Sequence, residues 1–319
     1  MSHFASSFWR NGILIGLLIC VCSCQKQHEQ TRSAYYWSTV FELDSSQYQF
    51  IRSQQIHRIY LRYFDVVLDK GQPMPNATVQ ILSPKPEDVE IVPTVFIVND
   101  CLYHPQPALD SLLFKRIIQM SETHELGPVK EIQLDCDWTK QTRQNYFELL
   151  ERLRKRAKAE GIAVSSTIRL HQLSEMPPPA DRGVLMLYNT GDVTRFEGTD
   201  PILDMRDAMP YLPRLKKYDL PLSAAYPVFE WRVAFRGDKF IGIIHADEFL
   251  PILPSDTIVT RQATPDMVRQ AIIAVDSLLP EANDEMIIYD MSKQNIQRFN
   301  TNHYEKVFNR HSTGIDSRP

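Results

Sequence analysis

From about residue 35 onward, short apolar or alternating runs take turns with segments whose apolar residues recur at helical spacing. The runs predict strands over residues 36–41, 58–66, 91–98, 131–138, 163–168, 183–188, 220–225 and 285–290. Pro93 calls for a bend or bulge within the third. Helical patterns fall at 45–55, 109–125, 207–217, 265–278 and 292–300. In the second of these the stripe is Leu109, Leu112, Leu113, Ile117 and Met120, ended by Gly127-Pro128. A further helix follows the fourth strand, with Tyr146, Phe147, Leu149, Leu150, Leu153 and Ala157 on one face and Gly161 closing it. Thr264 is placed to cap the helix at 265–278. Eight strands joined by mostly helical connections predict the α/β class and a (β/α)8, TIM-like barrel, with a doubly wound open sheet as the rival. One irregularity stands out. Residues 231–235 and 239–244 flank Arg236-Gly237-Asp238, which predicts a hairpin inserted after the seventh strand, at the barrel top.

The first residues follow another pattern. Arg10 precedes an apolar run at 13–21 that is too short to span a bilayer. Val21-Cys22-Ser23-Cys24 comes next, then polar residues. This resembles a bacterial lipobox, and the resemblance implies cleavage before Cys24 and lipidation of that cysteine. The alternatives are an ordinary secretory signal or a short anchor helix. The expected organisation is a signal peptide at 1–23, a polar tether at 24–34, a barrel domain at 35–310 and a tail at 311–319. The expected location is the bacterial cell envelope, held to a membrane surface, the outer membrane first, through acyl chains.

Composition narrows the partners. The 319 residues carry a formal charge of −4, and loss of residues 1–23 removes only Arg10, leaving −5. The one basic run, Arg152 to Arg156, reads as a solvated helix face, so nucleic acid is not an expected partner. With 11 glycines and no glycine-rich phosphate loop, no nucleotide is expected. His171 lacks any metal-ligand spacing, so no metal and no cofactor are expected. Cys101 and Cys136 are the cysteines left in the folded part. A disulfide between them is possible, although Cys136 should point outward under helices and Cys101 lie in a loop beyond the preceding strand.

Candidate chemistry gathers at the C-terminal strand ends, where barrels of this kind place their sites. In the fourth strand, alternation puts Ile132, Leu134, Cys136 and Trp138 outside and Gln133, Asp135 and Asp137 inside. Other strand ends and following loops offer Arg62 with Asp65, Arg169, Tyr188 with Asn189, Glu230 with Trp231, and Asp290.

Leu134-Asp135-Cys136-Asp137-Trp138 resembles the fourth-strand signature of chitinase-type glycosidases, D-x-x-D-x-D-W-E. Met186-Leu187-Tyr188-Asn189 resembles their sixth-strand M-x-Y-[DN]. In that family the final Glu is the general acid, and the Tyr and Asp/Asn hold the substrate's N-acetyl group. Here Ile132 stands at the first Asp and Thr139 at the Glu. A threonine hydroxyl scarcely ionises near neutral pH and is no general acid. The chain also resembles a group of bacterial lipoproteins with a glycosidase-like barrel, through Tyr35-Tyr36-Trp37, Leu61 to Val66, and Phe235-Arg236-Gly237-Asp238-Lys239-Phe240. That resemblance implies fold and location rather than an activity.

Three functions follow. The first is hydrolysis of carbohydrate by an altered mechanism, with Asp137 as acid, Asp135 as the neighbour that raises its pKa, and Glu230 or Asp290 as partner. Tyr188, Asn189, Arg62, Asp65, Trp231 and Asp290 would bind the glycan. The second is glycan binding without catalysis, with Tyr63, Tyr188, Tyr226 and Trp231 stacking on sugar rings. The third is a structural platform in an envelope complex. Hydrolysis is narrowly preferred.

Overall fold

The computed structural model describes residues 30–244, 250–298 and 301–308. The signal segment 1–23, Cys24 and the tail 311–319 lie outside them. Eight parallel strands close into a barrel: β1 (Thr31–Tyr36), β2 (Ile56–Asp69), β3 (Glu90–Ile97), β4 (Glu131–Asp135), β5 (Ala163–Arg169), β6 (Arg182–Met186), β7 (Leu222–Pro227) and β8 (Glu285–Tyr289). Each pairs with its sequence neighbour, and β1 pairs with both β2 and β8, which shuts the sheet on itself. The rival open sheet is thereby excluded.

The barrel starts earlier than the sequence indicates. Thr31 to Ala34, read as tether, are strand residues paired with Glu285 to Ile288. Their polarity is satisfied inside the fold. Ser33 donates to Glu285 at 2.7 Å, and the Arg32 guanidinium lies 5.2 Å from the Phe308 ring centre. Residues 40–41, expected in the first strand, form a separate short strand with Gln80–Ile81.

Helices wrap the outside. α1 (Ser45–Ser53) is capped by Asp44, whose carboxylate accepts from the Ser46 and Gln47 amides. α2 (Leu109–Thr123) and α3 (Arg143–Ala159) flank β4, and α4 (Pro265–Leu278) precedes β8, with Thr264 as its N-cap. The face of α3 buries the six residues its periodicity selects. In α2, Leu112 departs from the stripe and stays 62% exposed. Its neighbour Asp110 is buried instead and accepts from Arg152 and Arg156 at 3.2 and 3.0 Å. The basic run is therefore a clamp between α2 and α3 as much as a solvated face. Residues 207–217 form no continuous helix, only Met205–Ala208 and a tight 3-10 stretch, Leu212–Lys217. A further helix, Thr301–Phe308, lies beyond the last helix the periodicity predicts.

Two additions alter the barrel top. The end of β2 continues past the barrel and folds back on Gln72–Asn76, across a two-residue turn in which Lys70 and Gly71 both have positive φ. The insertion after β7 is larger than a hairpin: Glu230–Arg236 pairs with Lys239–Ile243 and also with Thr257–Gln262, giving three antiparallel strands.

The opposite end of the barrel is sealed by charge. Glu285 accepts from Arg58 at 3.1 Å, from Tyr60 at 3.1 Å and from Ser223 at 3.0 Å, and it also meets Arg182. Arg58 in turn reaches Glu131 at 2.6 Å and Glu90 at 3.0 Å. Burial opposes the charge on Glu285, but the two guanidiniums win and hold it below the usual carboxylate range. Above this floor, Tyr35 donates to Gln133 at 2.7 Å, so the interior is filled and hydrogen-bonded.

Candidate functional site

A cleft of about 780 Å³ opens at the C-terminal ends of the strands. Asp135, Asp137, Arg62, Tyr188, Asn189, Glu230, Trp231 and Asp290, all selected from sequence, line it. Trp37, Phe96, Arg169, Phe229, Tyr289 and Asn295 add to the wall, with Ser38, Ser292 and Gln294 beside them.

β4 delivers its carboxylates as alternation demands. Asp135 is 4% exposed and accepts from the Thr167 hydroxyl at 2.6 Å and from Arg169 at 3.0 Å. Burial pushes its carboxyl up, with Arg169 and Thr167 pulling the other way. Asp137 projects further out, its side chain 58% exposed, and pairs with Nε of the same arginine. Arg169 thus grips both acids. Its burial works against the charge, yet the two aspartates hold its pKa above the ordinary value.

The outward face of β4 is core. Trp138 is 1% exposed and packs edge-on to Phe147 of α3 at 5.3 Å between ring centres. Burying an aromatic of this size contributes on the order of 1.5–3 kcal/mol. Cys136 is buried, and it and Cys101 are both free thiols. Thr139 does not line the cleft. It is exposed, donates its amide to the Thr142 hydroxyl at 2.9 Å and lends its carbonyl to the Arg143 amide at 2.8 Å, so it closes the turn that leads into α3, whose N-cap is Thr142.

Arg62 and Asp65 build the wall rather than present free charge. Asp65 lies behind the cleft and takes the Arg62 Nε at 2.8 Å, with a second bond to the guanidinium. The remaining Arg62 nitrogen donates to the Trp37 carbonyl at 3.3 Å, and the guanidinium covers the Trp37 ring at 5.5 Å. The pair therefore positions Trp37.

Trp37 begins a continuous run of rings. It lies 5.8 Å from Tyr289, Tyr289 lies 5.7 Å from Phe229, and Phe229 lies 5.3 Å from Trp231. Tyr188 joins from below, 4.7 Å from Tyr289, its hydroxyl against the Met186 sulfur at 2.9 Å. Burial keeps that hydroxyl well above the usual phenol range. Asn189 follows with φ +55°, a conformation asparagine tolerates better than most residues. Two expected stacking residues are absent from the cleft. Tyr63 is fully buried and bonds Ser121 of α2 at 2.8 Å; Tyr226 is fully buried and bonds Asn283 at 2.8 Å. Both obey strand alternation, which turns them outward despite their height on the barrel.

The last two acids differ in company. Glu230 pairs with Arg298 at 3.2 Å. Asp290 has no cationic partner among the described residues. Its Oδ1 takes the Ser292 amide at 3.2 Å and the Asn295 side chain, the Ser292 hydroxyl also serves the carboxyl, and no hydrogen bond reaches Oδ2 among the described residues. Burial pushes the Asp290 carboxyl up, and those donors offset part of the shift. Among the described residues, no group of three His, Cys, Asp or Glu side chains is arranged to hold a metal.

No protein-family model matches the sequence, and no curated protein matches it significantly. Solved structures do. The Bacillus cereus spore cortex-lytic enzyme SleL superposes with a TM-score of 0.56 at 12% identity, over 88% of this chain and 74% of that one. A chitinase from Chromobacterium violaceum gives 0.56 at 11% identity, over 87% and 98%. The chitinase-like agglutinin RobpsCRA from Robinia pseudoacacia gives 0.54 at 9% identity, over 87% and 99%. At such identities the likeness establishes the glycosidase-like barrel fold and no more.

Proposed function

We propose that this protein binds carbohydrate in the cleft at the barrel mouth and does not hydrolyse it by the route its fourth-strand motif suggests. The observation that carries the reading is the run of rings from Trp37 to Trp231 along an open, polar cleft. Flat aromatic faces beside hydrogen-bonding groups suit sugar rings, which offer C–H faces and hydroxyl edges. The narrow sequence preference for hydrolysis loses ground on the state of the acids. Asp135 and Asp137 are both committed to Arg169, and Glu230 to Arg298. The residue aligned with the chitinase acid, Thr139, sits in the turn before α3, outside the cleft. An agglutinin and chitinases among the structural neighbours make either behaviour compatible with the fold.

The lipobox-like Val21-Cys22-Ser23-Cys24 supports attachment to a membrane of the bacterial envelope through Cys24, which would present the cleft at that surface. No helix among the described residues is long and apolar enough to cross a membrane.

A glycan array followed by titration calorimetry tests the binding. Wild type should retain at least one glycan class. Trp37→Ala and Trp231→Ala should each weaken it by about 1–2 kcal/mol, roughly 5–30-fold, as expected for removal of a stacking ring. Binding unaffected by both substitutions removes the cleft from consideration. Turnover of the bound glycan by wild type, lost in Asp137→Asn, would restore the hydrolytic reading.

A further inference from the structure

We propose that the cleft selects glycans carrying free primary amines, that is de-N-acetylated amino sugars, over N-acetylated or neutral ones, with Asp290 receiving the ammonium. This rests on the glycan-binding reading and adds the chemical class of the ligand.

The inference comes from how the cleft's charges are partnered. The acids in or directly behind the wall are Asp65, Asp135, Asp137, Glu230 and Asp290; the cations are Arg62, Arg169 and Arg298. Among the described residues, five carboxylates thus face three guanidiniums. Both arginines of the wall are already committed: Arg62 to Asp65 and the Trp37 carbonyl, Arg169 to Asp135 and Asp137. An anionic sugar would find no unclaimed guanidinium there and would meet surplus negative charge.

Asp290 is where the surplus is focused. The residue lines the cleft, and its two well-formed hydrogen bonds, from the Ser292 amide and the Asn295 side chain, both go to Oδ1, with the Ser292 hydroxyl also serving the carboxyl. Among the described residues no hydrogen bond reaches Oδ2. A sugar hydroxyl would satisfy that acceptor. An ammonium would do so with a charge-assisted bond, roughly twice as strong as a neutral one. Tyr289 and Trp37, their ring centres 5.8 Å apart, line the same cleft as Asp290, so an amino sugar held there has aromatic rings in the same pocket. A divalent metal is the poorer fit, since no third ligand stands in reach among the described residues.

The experiment is calorimetric titration of the whole protein at near-neutral pH with three tetrasaccharides sharing one backbone: β-1,4-linked glucosamine, N-acetylglucosamine and glucose. Wild type should bind the glucosamine tetramer about tenfold or more tightly than the other two, equivalent to about 1.4 kcal/mol. High salt should shrink that preference, and Asp290→Asn, which keeps the Oδ1 acceptor, should abolish it. Equal or weaker binding of the glucosamine tetramer by wild type overturns the proposal, and that comparison needs no variant to fold. A preference untouched in folded Asp290→Asn overturns the role of Asp290. Binding of the acetylated or glucose tetramers with no amine preference leaves the glycan-binding reading standing; binding of none overturns the amine proposal, while the glycan-binding reading is decided by the array.

Discussion

Replacing Arg169 by methionine probes the centre of the cleft without a change in bulk. In the native fold its guanidinium is the only cation on Asp135 among the described residues, and that carboxylate is 4% exposed. The substitution leaves that carboxylate with the Thr167 hydroxyl alone. Breaking one side of a buried pair costs about 3–5 kcal/mol, because the other charge stays buried without compensation. The Asp137 branch adds little, since that side chain is more than half exposed and solvent screens it. For a domain of this size the loss corresponds to roughly 5–9 °C in Tm. The pH dependence has a definite sign. Burial already raises the Asp135 pKa above 3.8 in the native state, and loss of Arg169 raises it further. A carboxyl raised in the folded state favours folding when protonated, and that contribution disappears as pH rises through the folded pKa. The deficit of the variant against wild type should therefore be large at pH 7 and narrow progressively on acidification towards 3.8, the ordinary value. Thermal unfolding followed by tryptophan fluorescence across that range measures it. Adding Asp135→Asn to Arg169→Met should recover part of the loss at pH 7, because the stranded charge is gone. A single variant within about 1 kcal/mol of wild type, or a double variant no better than the single, would refute the reasoning.

Two further outcomes follow from buried groups. Glu285→Gln should cost about 3 kcal/mol at pH 7 by leaving Arg58 and Arg182 short of a counter-charge; because the native Glu285 pKa lies below 4.5, the gap to wild type should close as pH falls below that value, and a gap constant with pH in chemical denaturation would count against the ion-pair account. Trp138 makes no hydrogen bond through its buried indole N–H, so Trp138→Phe should fall within about 1 kcal/mol of wild type, whereas Trp138→Ala should lose about 3–5 kcal/mol; a Phe variant as damaged as Ala would mean that the N–H is satisfied after all.

The barrel was legible because its strands are buried on their outer face and alternate. The same period-two rule that placed Asp135 and Asp137 inside also places Tyr63 and Tyr226 outside, and height on the barrel does not override it. What escaped was polarity satisfied at long range. Ser33 reads as tether until Glu285, 252 residues later, is seen to accept its hydroxyl. Thr257–Gln262 is not legible as a third strand because its partner, Glu230–Arg236, lies more than 20 residues back in the sequence and already pairs with a nearer strand. Within the cleft, residues at strand ends were readable. Trp37 and Phe229 were not, because what brings them to the wall is loop conformation and, for Trp37, the Arg62–Asp65 brace. Asp290 was singled out by position, but its lack of a cation emerges only in three dimensions.

The charged floor of the barrel sets the traffic of any long ligand. With Glu285, Arg58, Glu131 and Arg182 interlocked beneath a filled interior, the barrel has an entrance and no exit. A polymer cannot be threaded through it like a cord through a bead. It must be draped over the rim, so the protein could seize a strand in mid-length, with no free end required, and release it sideways.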